Sequence, residues 1–264
     1  MTLMTPIFLG AAALLTASVA DAAPRAGAPA KPTIILVHGA FAGSSSWNPV
    51  AARLLRDGYK VIAAGVPLRG VKTDAAYLSS LIDAEAGPLV LVGHSYGGAV
   101  MSAAADPARK VKALVYVAGY APEPGESGGS IGAKFPGGTL GQTLAPPVLL
   151  SDGAKDLYIL PAKYWKQFAA DLPEGQAAEM AVTQRPVTEA ALNEPARAAA
   201  WKTVPSWFIY GELDKNIPRS AHAFMAHRAR ARETVEVKGS SHVVMLSHPD
   251  EVAAMIERAA AASD

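Results

Sequence analysis

The chain of 264 residues contains no cysteine. Disulfides, thiolate metal sites, a cysteine nucleophile and a lipidated-cysteine anchor are thereby excluded, while an oxidising compartment is permitted without being implied. Charge is also sparse: Asp, Glu, Lys and Arg make up 18% of the residues, and the formal net charge is +1. A balance this close to zero supplies no field to attract nucleic acid or an acidic partner, so function has to reside in a local site. Arg228, Arg230 and Arg232 lack interleaved aromatics and fall near a helix end, where positive charge complements the dipole; no nucleic-acid partner is expected. No cluster has metal-ligand spacing and no glycine-rich phosphate loop occurs, so no metal or organic cofactor is expected. Beyond the N-terminus no apolar run is long enough to cross a bilayer, and no stable membrane insertion is expected.

What is present begins with an N-terminus unlike the rest. Pro6 to Val19 is apolar or small and too short to span a bilayer, and Ala20-Asp21-Ala22 is an A-x-A cleavage pattern. Residues 1–22 are read as a secretory signal peptide cut near Ala22, and 23–31 as a Pro/Ala-rich leader, which places the mature protein in the periplasm or outside the cell. No Lys or Arg precedes the apolar stretch. The alternative is a misplaced start codon adding an unfolded tail to a cytoplasmic protein.

The length suits one large α/β domain with an insertion. Buried-strand runs occur at Pro32 to Gly39, Lys60 to Val66, Leu89 to Val92, Val111 to Ala118, Ser206 to Tyr210 and Glu233 to Val237. Helical patterns lie between them: Ser46 to Asp57, a helix capped by Thr73 or Asp74, Ala99 to Ala105, one opening at Pro218, and Pro249 to about Ala261. Such alternation implies right-handed βαβ crossovers and a mostly parallel sheet. The alternation stops at Gly119. Gly119 to Pro147 reads as a long loop, followed by short helices near Pro161–Asp171, Gly175–Val182 and Pro195–Lys202. Residues 120–203 are therefore assigned to a helical cap inserted into a core of 32–119 and 204–264.

Gly93-His94-Ser95-Tyr96-Gly97 stands between an apolar strand and a small-residue helix. The Gly-x-Ser-x-Gly spacing arises by chance in roughly one chain in ten of this length. Its strand-turn-helix setting is what gives it weight as a nucleophile elbow, where a serine is held on a sharp turn with glycines making room. Functional residues of such sheets collect at the carboxyl ends of strands, and three ends supply Ser95, Asp214 and His242. A serine hydroxyl needs a base to take its proton, and a histidine is suited to that task; Asp214 would fix the tautomer of His242 and stabilise its imidazolium. The amides of Tyr96 and Ala40 are the expected oxyanion donors. The bland alternatives are a helix N-cap for Ser95 and a turn cap for Asp214. The rival histidines are His222 and His227, on a solvated helix face, and His248, before a helix start. Phe41, His38 and Trp165 are assigned to the substrate site, His38 ordering its loop rather than reacting. Tyr158, Tyr164, Trp165, Phe168 and Trp201 either line a cavity or form the core of the cap.

From Ile34 onward the chain resembles the α/β-hydrolase superfamily and, within it, small esterases that include plant methylesterases and hydroxynitrile lyases. The likeness is carried by Leu36-Val37-His38-Gly39-Ala40-Phe41, by Leu91 to Gly98, and by Val237 to His242 with Met245-Leu246; the cap matches only around Gln176 to Arg185. This resemblance implies the triad Ser95, His242 and Asp214 with Ala40 and Tyr96 as the oxyanion hole. Val243 stands where the lyases carry lysine, so cyanohydrin cleavage is not expected. The first two strands of larger relatives are missing, which implies about six strands, mostly parallel, with helices on both faces. The expected activity is hydrolysis of carboxylic esters of small to medium apolar molecules through an acyl-enzyme, with lactone, carbon-carbon or peracid chemistry, or ligand binding with little catalysis, as alternatives. The oligomeric state is not legible.

Overall fold

The computed structural model describes residues 31–105 and 110–262 together with Met1. The signal-peptide and leader assignments lie outside this range except for Met1 and Lys31. From Lys31 onward the chain forms one compact unit.

Its centre is a sheet of β1 (Thr33–Val37), β2 (Val61–Ala64), β3 (Leu89–His94), β4 (Val111–Val117), β8 (Ser206–Gly211) and β9 (Glu233–Val237), in the order β2-β1-β3-β4-β8-β9 with every neighbouring pair parallel. Each residue of β1, β3 and β8 is buried. Continuous runs such as Ile34-Ile35-Leu36-Val37 are what a parallel strand covered on both faces requires. β9 carries Glu233 and Glu236 and is only half-buried, as suits an edge. α1 (Asn48–Arg56) packs on α10 (Pro249–Ala261), which lies on β3, β4 and β8; α2 (Val71–Ala84) packs on α3 (Tyr96–Ala104), which lies on β1, β3 and β4. α8 (Arg219–Arg228) packs on β8.

Three helix starts differ from expectation. α3 begins at Tyr96, where Ala99 was expected. A single 3-10 turn, Ser44–Trp47, precedes α1. α2 begins at Val71, before the expected cap, because Asp74 turns its carboxylate back to the N–H groups of Leu68 (2.9 Å) and Arg69 (3.3 Å) and braces the loop, not the helix.

The segment between β4 and β8 is more ordered than a loop with helices. It contains α4 (Gly128–Lys134), β5 (Val148–Leu149), β6 (Lys155–Leu157), α5 (Pro161–Phe168), α6 (Glu174–Thr183), β7 (Val187–Thr188) and α7 (Glu189–Asn193). β5, β6 and β7 pair antiparallel, so this insertion holds a small sheet as well as helices. α4 forms despite three glycines because Ser127 and Ser130 cap it reciprocally, each side chain accepting the other's backbone N–H. The helix expected at Pro195–Lys202 is only a 3-10 turn at Ala200–Lys202.

Candidate active site

The sheet order reverses at β1: the chain moves outward to β2, then crosses back to β3 on the other side. In open parallel sheets the crevice above such a switch point is where ligands bind. Here the loop after β1 and the turn after β3 meet. A Cβ on Gly39 would lie 2.7 Å from Cβ of Ser95.

Ser95 occupies the turn into α3 with φ 50° and ψ −122°. A non-glycine residue held there costs about 1–3 kcal/mol. The surroundings impose it: a Cβ on Gly97 would sit 2.5 Å from the Val37 carbonyl oxygen, and one on Gly93 would sit 2.7 Å from the Gly97 carbonyl oxygen. Only glycine at both positions lets the turn close this tightly. The side chain of Asp74 adds a third restraint, accepting a hydrogen bond of 2.9 Å from the Tyr96 hydroxyl.

Behind the serine lies a buried chain of imidazoles and one carboxylate. His242, in the loop between β9 and α9 (Val244–Ser247), is fully buried, and its Nδ1 donates to Oδ2 of Asp214 at 2.7 Å. An ionised carboxylate only accepts, so this contact puts the His242 proton on Nδ1 and leaves Nε2 free to take another. Nε2 has no hydrogen-bond partner among the described residues; the bond to the serine is not closed, as is common in unliganded sites. His94 ties the two strand ends together. Its Nε2 donates to the His242 carbonyl at 3.1 Å, its ring lies 4.8 Å from the His242 ring, and it directly precedes Ser95. Burial, then the neighbouring His242, holds His94 well below the usual histidine range. For Asp214 burial alone would raise the pKa, but His242 and His222 together hold it well below the usual carboxylate range.

Ser95 opens onto a cavity of about 650 Å³. Ala40, Phe41 and Tyr120 line it beside the serine; Leu140, Leu144, Leu157 and Leu192 form its apolar wall, with Asn193, Asn216 and Glu189 as polar points. The loop after β1 is clamped from the insertion. Phe41, at φ 58°, donates its N–H to the Arg185 carbonyl (3.1 Å) and accepts from the Tyr164 hydroxyl (2.9 Å). The N–H groups of Ala40 and Tyr96 have no acceptor among the described residues.

The expected site residues divide accordingly. Ser95, Ala40 and Phe41 line the cavity, and Asp214 and His242 support it from behind. His38 and Trp165 do not line it. His38 is fully buried and placed between the Gly39 carbonyl (2.9 Å) and Arg185 (2.9 Å), and burial, with that guanidinium, lowers its pKa to about 4. Trp165 donates its indole N–H to the Leu172 carbonyl at 3.0 Å. Tyr164 and Phe168 are likewise fully buried in the hydrophobic core, and Trp201 donates to the Pro122 carbonyl.

The expectation of a solvated His222 is wrong. It is fully buried, stacked on Tyr210, and bonded through Nε2 to Asp214 at 3.1 Å. A helix opening at Pro218, four residues after Asp214, puts its first turn against that carboxylate, which is the one signal that pointed there. Asp74 was also missed. Among the described residues no group of three or more His, Asp or Glu is placed to hold a metal ion, and no helix is long and apolar enough to cross a membrane.

Comparison with known proteins agrees with this fold. Methylesterase 8 of Arabidopsis thaliana is 23% identical over 238 residues, covering 83% of this chain and 86% of the relative. An alpha-hydroxynitrile lyase of the same plant is 26% identical over 241 residues, covering 83% and 93%. The crystal structure of polyneuridine aldehyde esterase superposes with a TM-score of 0.74 at 19% identity, over 86% of this chain and 98% of that one, a likeness of fold. A family model described as the alpha/beta hydrolase family matches residues 34–255, from β1 into α10. With that match, the six parallel strands and the strained serine between β3 and α3, the chain belongs to the α/β-hydrolase family.

Proposed function

We propose that the protein is a serine esterase that cleaves carboxylic esters of small to medium apolar molecules through an acyl-enzyme, with Ser95 as nucleophile, His242 as general base and Asp214 as its orienting acid. The reading is supported by a serine in a strained elbow that opens onto the cavity and, tied to that elbow through the adjoining His94, a histidine whose Nδ1 is bound at 2.7 Å to a fully buried carboxylate. Esterase-named relatives such as the methylesterase support ester hydrolysis over other chemistry. In the proposed cycle the Ser95 oxygen attacks the ester carbonyl as its proton passes to Nε2 of His242. The free amides of Ala40 and Tyr96 receive the oxyanion; each such donor is worth about a hundredfold to a thousandfold in turnover. His242 then gives its proton to the leaving alcohol, and water repeats the sequence on the acyl-enzyme. Val243, fully buried directly after His242, offers no ammonium for cyanohydrin chemistry.

Wall composition sets the expected substrate. The cavity is within the range of small-molecule sites and mostly apolar, and α4 turns Gly128, Gly129 and Gly132 toward it. A Cβ on Gly132 would meet nothing within 4 Å. Aryl and alkyl esters of graded acyl length, assayed for a burst and then steady turnover, test the assignment. A burst with a chromogenic ester is expected. Its absence, with tight ligand binding, would favour a binding module, and turnover confined to lactones or diketones would transfer the triad to those reactions. Gly132→Leu is expected to lower kcat/KM for the longest accepted acyl chain by about tenfold or more, a loss of about 1.4 kcal/mol, while leaving acetate esters unchanged.

We also propose export with cleavage near Ala22. N-terminal sequencing of protein from the native host should find Ala23 or a near neighbour, and an intact Met1 would overturn it.

A further inference from the structure

The carboxylate of Asp214 serves two imidazoles. Its Oδ1 accepts the N–H groups of Asn216 (2.8 Å) and Ile217 (2.9 Å), and its Oδ2 accepts Nδ1–H of His242 (2.7 Å) and Nε2–H of His222 (3.1 Å). All of its lone-pair positions are thus filled. His222 is fully buried on α8, and its ring stacks on Tyr210 with centroids 4.6 Å apart and planes 12° apart. Its other nitrogen, Nδ1, is buried with no hydrogen-bond partner among the described residues. A phenylalanine would keep the stack without leaving a bare nitrogen in the interior, so packing alone gives no reason for an imidazole here. The reason lies at Nε2.

We propose that His222 is a positioning residue for the esterase reaction: by donating to the Asp214 oxygen that faces His242, it fixes the rotation of the carboxylate and limits how tightly that carboxylate holds the His242 proton. This rests on the triad reading above. A second donor on one oxygen withdraws charge from it, so less is left to stabilise the imidazolium. A base held too firmly in its protonated form delivers its proton slowly to the leaving alcohol.

The groups that face this set are few. His94, from β3, lies against the His242 ring; Tyr120, after β4, faces Asp214; Tyr210, at the end of β8, lies under His222, with the Arg219–Glu236 ion pair beyond it. Asp171, between α5 and α6, accepts from the Ser241 hydroxyl beside His242, and Lys215 turns away to the Lys166 carbonyl. Burial lowers the pKa of His94 and His222 and raises that of the Tyr120 and Tyr210 phenols, favouring the neutral form of each.

His222→Phe keeps the stack and removes the donor, whereas His222→Gln returns an N–H donor without the ring. In the Phe variant the acidic limb of the kcat/KM profile for a chromogenic ester is expected to move up by about half to one pH unit, with kcat lower by roughly tenfold. KM should be unchanged, since His222 is not among the residues lining the cavity. The Gln variant should recover most of both effects. A Phe variant with the parent's limb and kcat would overturn the proposal, and so would equal losses in the two variants. If the Phe variant does not fold, parent protein carrying ¹⁵N-histidine decides. His222 should show a protonated Nε2 and a bare Nδ1 across the neutral range, and the opposite tautomer would overturn the assignment. Ser95→Ala, measured alongside, separates the two levels. Retained turnover there defeats the triad itself, while full loss there with an unchanged Phe profile defeats only the role of His222.

Discussion

Ser95→Ala is expected to lower ester turnover by at least about 10⁴-fold and to abolish labelling by a fluorophosphonate. The expected loss is large because no other aliphatic hydroxyl lines the cavity. Ser95 is the only serine among the residues lining the cavity, and the strained turn that presents it is fixed by glycine on both sides. The residue left behind is an alanine in the same backbone conformation, and the cavity, the free amides and the His242–Asp214 bond remain. Residual catalysis over water should therefore come from binding and oxyanion stabilisation alone. The thermal midpoint should move by no more than a few degrees, which separates lost chemistry from lost fold. More than about one per cent of parental turnover, or any persistent labelling, would remove Ser95 from the mechanism.

The parts of this site that are legible in the sequence are those the sheet dictates. β1, β3, β4 and β8 are covered on both faces, so each needs a continuous apolar run, and each run marks where its carboxyl end delivers a functional residue. Ser95 and Asp214 follow the ends of β3 and β8, while His242 comes five residues after β9, the half-buried edge strand. The small residues of the loop after β1 and of the elbow are legible for a related reason, since two backbones approach there within the width of a methyl group. What the sequence conceals depends on tertiary contacts. α8 reads RSAHAFMAHR, with alanines on more than one side, so its period does not tell which face His222 occupies. β5, β6 and β7 have only two or three residues each, too few to express an alternation, and pairing with one another is what makes them strands. Asp74 bonds to the Tyr96 hydroxyl across 22 positions, and nothing local marks that partnership. The aromatic residues of the insertion suit a cavity wall or a core equally by composition. None of Tyr164, Trp165 and Trp201 lines the cavity, and each donates to a backbone carbonyl: Tyr164 to Phe41 in the loop after β1, Trp165 to Leu172 and Trp201 to Pro122.

Asp214→Asn is expected to lower kcat by about 10⁴-fold at neutral pH while leaving the fold and KM nearly intact. The reason is the set of four donors around this side chain. An amide has one acceptor oxygen and one NH₂ group, so one of its two ends must present N–H bonds to groups that are themselves donating. Two of those donors, the backbone N–H groups of Asn216 and Ile217, cannot change. The two imidazoles can, by moving a proton from one ring nitrogen to the other. The asparagine oxygen should therefore face the backbone amides and its NH₂ should face the histidines. His242 then accepts at Nδ1 and carries its proton on Nε2, the nitrogen that has to be bare when Ser95 attacks. The base is blocked by its tautomer, with the ring still in place. ¹⁵N spectra of the variant should show the His242 proton moved from Nδ1 to Nε2, together with the loss in kcat. A decrease of less than about tenfold, or full turnover with the parental tautomer, would mean that Asp214 serves the loop it caps and not the histidine it touches.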